Sequence, residues 1–192
     1  NDNISGESSK NKIKKIINFL DNDKSDYIFI SAPENVAWLL NIRGRDNPHS
    51  PIPNCRLILK KNSQVYLFTN KTKIQHLLTK NNSLKIKLIN EKKISFFLKK
   101  INAKKIILDK LSCSIAYENL IKNKVYISNQ NDPIYNLKSI KNNIEIRNII
   151  KSHIFDGVAV TKFLYWIKKY KKNINELAAE KKLEYFRKRN QN

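Results

Sequence analysis

Arg43, Arg45, Asp46 and His49 stand within seven positions of one another, on a stretch punctuated by Pro48, Pro51 and Pro53. The 192 residues hold only 6 arginines and 3 histidines, so Arg43, Arg45 and His49 in one short loop are a concentration. A proline-framed loop is stiff, and a stiff loop carrying Arg, Asp and His can hold polar groups out to a ligand. The planar fork of an arginine suits a peptide carbonyl or a carboxylate. The same residues admit a purely structural reading, in which Arg43 and Asp46 pair across a turn and the prolines merely extend it. Composition leaves both open.

Other chemistries find less support. The chain holds no GxSxG, HExxH, CxxC, P-loop or GxGxxG, so the common nucleophile, zinc-helix and phosphate-cradle signatures are absent. His49, Cys55, His76, Cys113 and His153 could in principle bind zinc, but none pairs at ligand spacing, and tetrahedral sites draw paired ligands from tight turns or one helix face. Structural cysteines and satisfied histidines are the better reading. The 16 acidic residues show no pattern of a hydrolytic carboxylate pair.

The formal charge of +22 points toward nucleic acid, but its makeup points away. Of 38 basic residues 32 are Lys, spread along the whole chain, whereas sites that read phosphates or base edges favour Arg. Lys, Ile and Asn are the residues that an AT-rich coding sequence produces in excess, so the charge is read as compositional, with salt-dependent adhesion to polyanions as its consequence. No apolar run is long enough to span a bilayer. Two cysteines make no disulfide framework, which indicates a reduced, cytoplasmic setting.

The elements that would position the loop follow from periodicity. Ile13, Ile16, Ile17 and Leu20 line one face of a helix. A buried strand is expected at 26–31. Val36-Ala37-Trp38-Leu39-Leu40 forms a short helix ended by the Gly44 region, with Trp38 as a core anchor. Strands at 55–61 and 64–69 flank Asn62-Ser63, a hairpin signal. Helices at 71–80, 91–101 and 114–121 then alternate with strands at 84–89, 104–109 and 124–128. This is an α/β pattern with a mixed sheet. Beyond it the spacing predicts one long helix over 142–170, opened by Asn142 and Glu145 as a capping box, with Ile146, Ile149, Ile150, His153, Val160, Leu164 and Ile167 as a wide apolar face. A second helix at 174–189 starts with Asn173 and Glu176 in the same spacing. Two such helices cannot bury these faces on each other alone.

The run from Val36 to Pro51, VAWLLNIRGRDNPHSP, resembles the pattern IAWLLNIRGSD.PH.P of Xaa-Pro aminopeptidases, the aminopeptidase P branch of the creatinase-like family. It departs at Arg45, where the family often has Ser. Residues 137–167 resemble that family's KAIKN..E......AHI.DG.AL..FL.WL, the helix that begins its catalytic domain. INELAAEKKLEYFRKRN is similar to the helix after it, and SGESSKNKI to the start of the family's second domain.

The resemblance implies a creatinase N-terminal-like α/β domain, with a mixed central sheet flanked by helices, over 5–138. Residues 139–192 are then the truncated start of a pita-bread catalytic domain. The complete family enzyme removes the N-terminal residue from peptides with proline in second position, using two manganese ions held by two Asp, one His and two Glu. Those ligands fall beyond the second pita-bread helix, so the expectation is a non-catalytic portion with no metal ligand and no cofactor of its own, inactive alone. Arg43, Asp46 and His49 would face substrate, with Trp38 and Gly44 as structural anchors. A companion catalytic chain or a homodimer would complete it, with no membrane and no specific nucleic acid as partner. Open alternatives are a non-enzymatic protein-interaction module, the remnant of a split or decayed gene, and a basic nucleic-acid binder.

Overall fold

The computed structural model of the chain describes residues 2–70, 85–170 and 174–189. The helix expected at 71–80, the first residue of the strand expected at 84–89, and His76 and Asn173 lie outside the described residues. Two compact units are present, one comprising Glu7–Ile140 with Asn1–Asp2, the other Lys141–Asn192 with Asn3–Gly6.

The first unit is a mixed six-stranded sheet in the order β4-β3-β2-β1-β5-β6. Its strands are β1 (Tyr27–Ile30), β2 (Arg56–Lys60), β3 (Val65–Phe68), β4 (Ile86–Ile89), β5 (Lys105–Leu108) and β6 (Tyr126–Asn129). β1 lies in the interior, antiparallel to β2 and parallel to β5, and all four of its residues are buried. That is why Tyr-Ile-Phe-Ile shows no apolar–polar alternation: a strand covered on both faces has no solvent side. β2 and β3 form the expected hairpin, with Ser63 taking the left-handed conformation in the turn. β4 and β6 add parallel edges.

After α1 (Asp2–Ser5), helix α2 (Ser9–Asp23) buries Ile13, Ile16 and Leu20 on one sheet face, together with α3 (Pro33–Leu40). The opposite face is covered by α4 (Ile94–Lys99) and α5 (Ile115–Ile121), which bring Ile94, Leu98 and Ile121 against Phe29, Ile58 and Phe68. Burying each such side chain contributes about 1.5–3 kcal/mol. The 91–101 expectation resolves into a 3-10 turn, Glu91–Lys93, followed by α4.

Two expectations change. The last strand begins at Tyr126, not at residue 124, because the amides of Lys124 and Val125 both donate to Ile121 O and extend the turn of α5. The stretch after it, for which no element was expected, contains a helix, α6 (Pro133–Ser139). Its signal was local: Asp132 caps the Ile134 amide at 2.9 Å and Pro133 occupies the first turn, where a missing N–H costs nothing.

In the second unit α7 (Asn143–Lys169) opens with the expected capping box. Asn142 Oδ1 accepts from the Ile144 and Glu145 amides, and Glu145 Oε2 accepts from the Asn142 amide at 2.9 Å. α8 (Glu176–Arg189) is started by Asn175, whose side chain accepts from the Ala178 amide at 2.8 Å. Arg187 Nε donates to Asp156 Oδ1 at 2.7 Å and ties the two helices together. Among the described residues of these two helices, Ala159 alone is buried.

Candidate functional site

The loop that follows α3 is held at both ends by backbone geometry. Asn41, not Gly44, ends the helix: it takes φ 53, and the Ile42 amide returns to Ala37 O at 3.0 Å. Asparagine tolerates that left-handed turn better than most residues. Gly44 has a different duty. Its amide donates to Pro51 O at 2.9 Å, and a Cβ there would lie 2.6 Å from Pro53 Cα. The glycine lets the two strands of the loop touch.

Asp46 closes the base. Its Oδ2 accepts the Asn54 amide at 2.6 Å, and Thr69 Oγ1 donates to Asn54 O at 3.2 Å, so the far end of the loop is tied to the end of β3. Arg43 is exposed and donates Nη1 to Ile42 O at 2.8 Å. Arg43 and Asp46 thus each hold a backbone group, Arg43 the Ile42 carbonyl and Asp46 the Asn54 amide. His49 is exposed on a tight turn in which the Ser50 amide donates to Asn47 O. Arg45 is exposed as well. The loop thus brings Arg43, Arg45 and His49 to the surface on a framework fixed by Gly44, Asp46 and Pro53.

Beneath it, α3 is fastened by polar contacts. Lys12, 1% exposed, puts Nζ 4.0 Å from the centre of the Trp38 ring and donates to Trp38 O and Asn41 Oδ1 at 3.0 and 2.7 Å. Trp38 is half-buried and packs against the core. At the other end of α3 the fully buried Asn35 donates Nδ2 to Asp132 Oδ2 at 2.7 Å and accepts from Lys138 Nζ at 2.5 Å. Burial pushes the Asp132 carboxyl above the usual carboxylate range, against the hydrogen bonds from Ile134 and Asn35 that pull it down. This network fixes α3 against α6.

A pocket of about 240 Å³ opens where the loop meets the sheet, lined by Asn54, Arg56, Phe68, Glu91, Lys92 and Tyr117 among others. Sequence reasoning missed it. Arg56 opens a strand whose three central residues are apolar, in a chain short of arginine, and that is the trace the site leaves in the sequence.

The metal-ligating residue types do not converge. Among the described residues no group of three His, Cys, Asp or Glu side chains could hold a metal ion. Both cysteines are free thiols; burial pushes Cys55 up to about 12 and Cys113 to about 11, so neither offers a thiolate near neutrality. The described side chains do not fit a dinuclear centre.

Residues 1–145 match the Creatinase/Prolidase N-terminal domain family. The chain is 29% identical over 168 residues to Xaa-Pro aminopeptidase 1 of Dictyostelium discoideum, covering 86% of this chain and 26% of that protein. It is also 29% identical over 171 residues to an Xaa-Pro aminopeptidase of Drosophila melanogaster, covering 85% and 28%. The chain thus spans only about a quarter of the length of these relatives. In fold it is similar to the X-prolyl aminopeptidase of Caenorhabditis elegans, described as a cytosolic enzyme with a di-nuclear active site, at TM-score 0.86 and 18% identity over 98% of this chain and 32% of that one. An Xaa-Pro dipeptidase from Bacillus anthracis matches at TM-score 0.67 and 15% identity, over 95% and 49%. No helix of the described residues is long and apolar enough to cross a membrane. With a mixed α/β sheet, a family match over three quarters of its length and relatives that agree with it, the chain belongs to the creatinase/prolidase N-terminal domain family.

Proposed function

We propose that this chain is the non-catalytic portion of an Xaa-Pro aminopeptidase, whose complete form hydrolyses the N-terminal residue from peptides with proline in second position. The observation that carries this reading is colinearity: relatives named Xaa-Pro aminopeptidase align along as much as 98% of the chain, through the sheet unit and on into the two helices. In the complete enzyme two manganese ions would supply a polarised water and stabilise the charge that develops on the scissile carbonyl. None of the described residues is assigned to them. What this chain contributes is shape: a rigid loop that holds Arg43 outward, where its guanidinium can grip a peptide carbonyl or carboxylate. The setting is cytoplasmic on this reading. The lysine excess gives only salt-dependent adhesion to polyanions.

The purified chain with added manganese is expected to release no N-terminal residue from an Xaa-Pro peptide above background. Turnover that follows the protein through purification and survives a contaminant control would overturn the assignment. Adding the polypeptide encoded next to it, with the Asp, His and Glu ligands, is expected to restore turnover; a lack of any such complementing chain or reading frame favours an interaction module instead.

A further inference from the structure

The 240 Å³ pocket beside the loop gathers opposite charges beside one accessible ring, Tyr117. Arg56 is half-buried, its guanidinium carbon 5.7 Å from the centre of the Tyr117 ring. Lys92 adds a second cation, Glu91 a carboxylate, and the half-buried Tyr117 supplies ring surface. Among the described residues neither Arg56 nor Glu91 has an ion-pair partner. A half-buried guanidinium stacked on a ring is already partly desolvated and positioned, which is the arrangement that grips a carboxylate in two-pronged fashion. The volume equals that of about eight waters in the liquid and falls below the roughly 300–1,000 Å³ of drug-sized sites. A single small molecule fits.

We propose that this pocket binds a free α-amino acid with an apolar side chain. Its carboxylate sits on Arg56 and Lys92, its ammonium faces Glu91, and its side chain lies against Tyr117. The inference rests on the pocket alone and is independent of the peptidase reading, because its test measures binding and involves no hydrolysis.

The test titrates the full chain with L-leucine and L-phenylalanine by isothermal calorimetry and follows backbone amide shifts by NMR. Saturable binding is expected at millimolar concentration or below, with shifts centred on Arg56, Glu91 and Tyr117. Leucinamide, which lacks the carboxylate, and N-acetyl-leucine, which lacks the ammonium, are each expected to bind at least tenfold more weakly. Arg56→Gln should abolish the preference for the carboxylate. Arg56→Lys keeps the charge and the stem, so it should fold normally and bind with intermediate strength. Glu91→Gln, at an exposed position, should weaken leucine and leave N-acetyl-leucine unchanged. Absence of saturable binding by either amino acid, or binding that Arg56→Lys and Glu91→Gln leave intact, overturns the proposal.

Discussion

Every residue of β1 is buried and Leu57, Leu59, Ile106 and Ile107 are fully enclosed, whereas on the 27-residue helix α7 only Ala159 is. Ile146, Ile149, Ile150, Ile154, Phe155 and Leu164 stand at 40% exposure or more. The sheet unit closes two cores on itself, one on each face. Among its described residues the helical unit has two ion pairs, Arg187–Asp156 and Lys188–Glu184, and a run of rings, Phe163, Trp166 and Tyr170, with Lys182 lying over Trp166, Tyr185 and Phe186. One unit is held by burial and the other mostly by local helix signals. The stability of a helix comes chiefly from packing of its apolar face, so the two should respond very differently to the same perturbation.

The largest expected effect is on proteolysis. Trypsin should cut α7 and α8 first and leave a resistant fragment ending near residue 140, while light scattering should show self-association through the exposed face. Protection of residues 142–189 together with a clean monomer would erase the contrast. Single substitutions sharpen it. Leu57→Ala, in the core, is expected to cost about 2–5 kcal/mol. Leu164→Ala, at 53% exposure, should stay within about 0.5 kcal/mol. Trp38 and Trp166 lie in different units, so Trp166→Phe leaves a fluorescence signal from the sheet unit alone, against which both can be read by urea titration.

The glycines repeat the comparison at smaller scale. Gly44→Ala drives a Cβ against the Pro53 backbone and should cost about 1–3 kcal/mol by overpacking. Gly157→Ala meets nothing within 4 Å, and in a helix interior it should stabilise by about 0.5–1 kcal/mol. Thermal melts of both variants decide this; equal effects of one sign would contradict the local packing described.

Acid separates two kinds of carboxylate within the sheet unit. The amide of Lys104 holds Asp26 below the usual range, aided by Lys61 and the Lys105 amide against the upward push of burial. For Asp23 burial is the largest influence and pushes upward, but hydrogen bonds from Ser25, Lys105 and Gln130 outweigh it and the carboxyl ends lowered. A lowered folded value contributes stability that is present above the ordinary carboxylate range and is lost as pH falls through the folded value. Asp132, raised by burial, does the opposite: its contribution is complete below the ordinary range and fades as pH rises through its folded value. Asp26→Asn should therefore destabilise at neutral pH and differ little from the parent well below about pH 4. A deficit that does not change with pH would show that Asp26 acts through shape alone.

The alternation of helix and strand, the Asn62-Ser63 hairpin and the Asn142–Glu145 box were legible because each is written in neighbouring residues. The burial of β1 was legible from its apolar run, though not which strands flank it. What escaped notice depends on distant contacts or on signals too short to have a period. Asp132-Pro133 announces α6 in two residues, and the helix's seven residues are too few for an amphipathic face. Asp46 accepts from the Asn54 amide, eight residues on, a contact that no local spacing announces. The Arg56 pocket joins residues from four segments of the chain, and no spacing along it records that meeting.

The smallest structural effect is expected at Arg43, and it separates the two parts of the loop. The Arg43 side chain is exposed and uses one of its N–H groups on Ile42 O, while Asp46 fastens the base through Asn54. Arg43→Ala should thus leave the sheet unit within about 0.5 kcal/mol of the parent. Asp46→Ala removes a charged acceptor from a backbone amide and should cost about 1.5–3 kcal/mol. If the loop grips peptide in the completed enzyme, Arg43→Ala lowers kcat/KM while the melting temperature holds, and Arg43→Lys restores only part of the loss because a point charge lacks the fork. An Arg43→Ala variant that melts as early as Asp46→Ala, with unchanged kinetics in the folded fraction, would make the arginine one more strut of the turn.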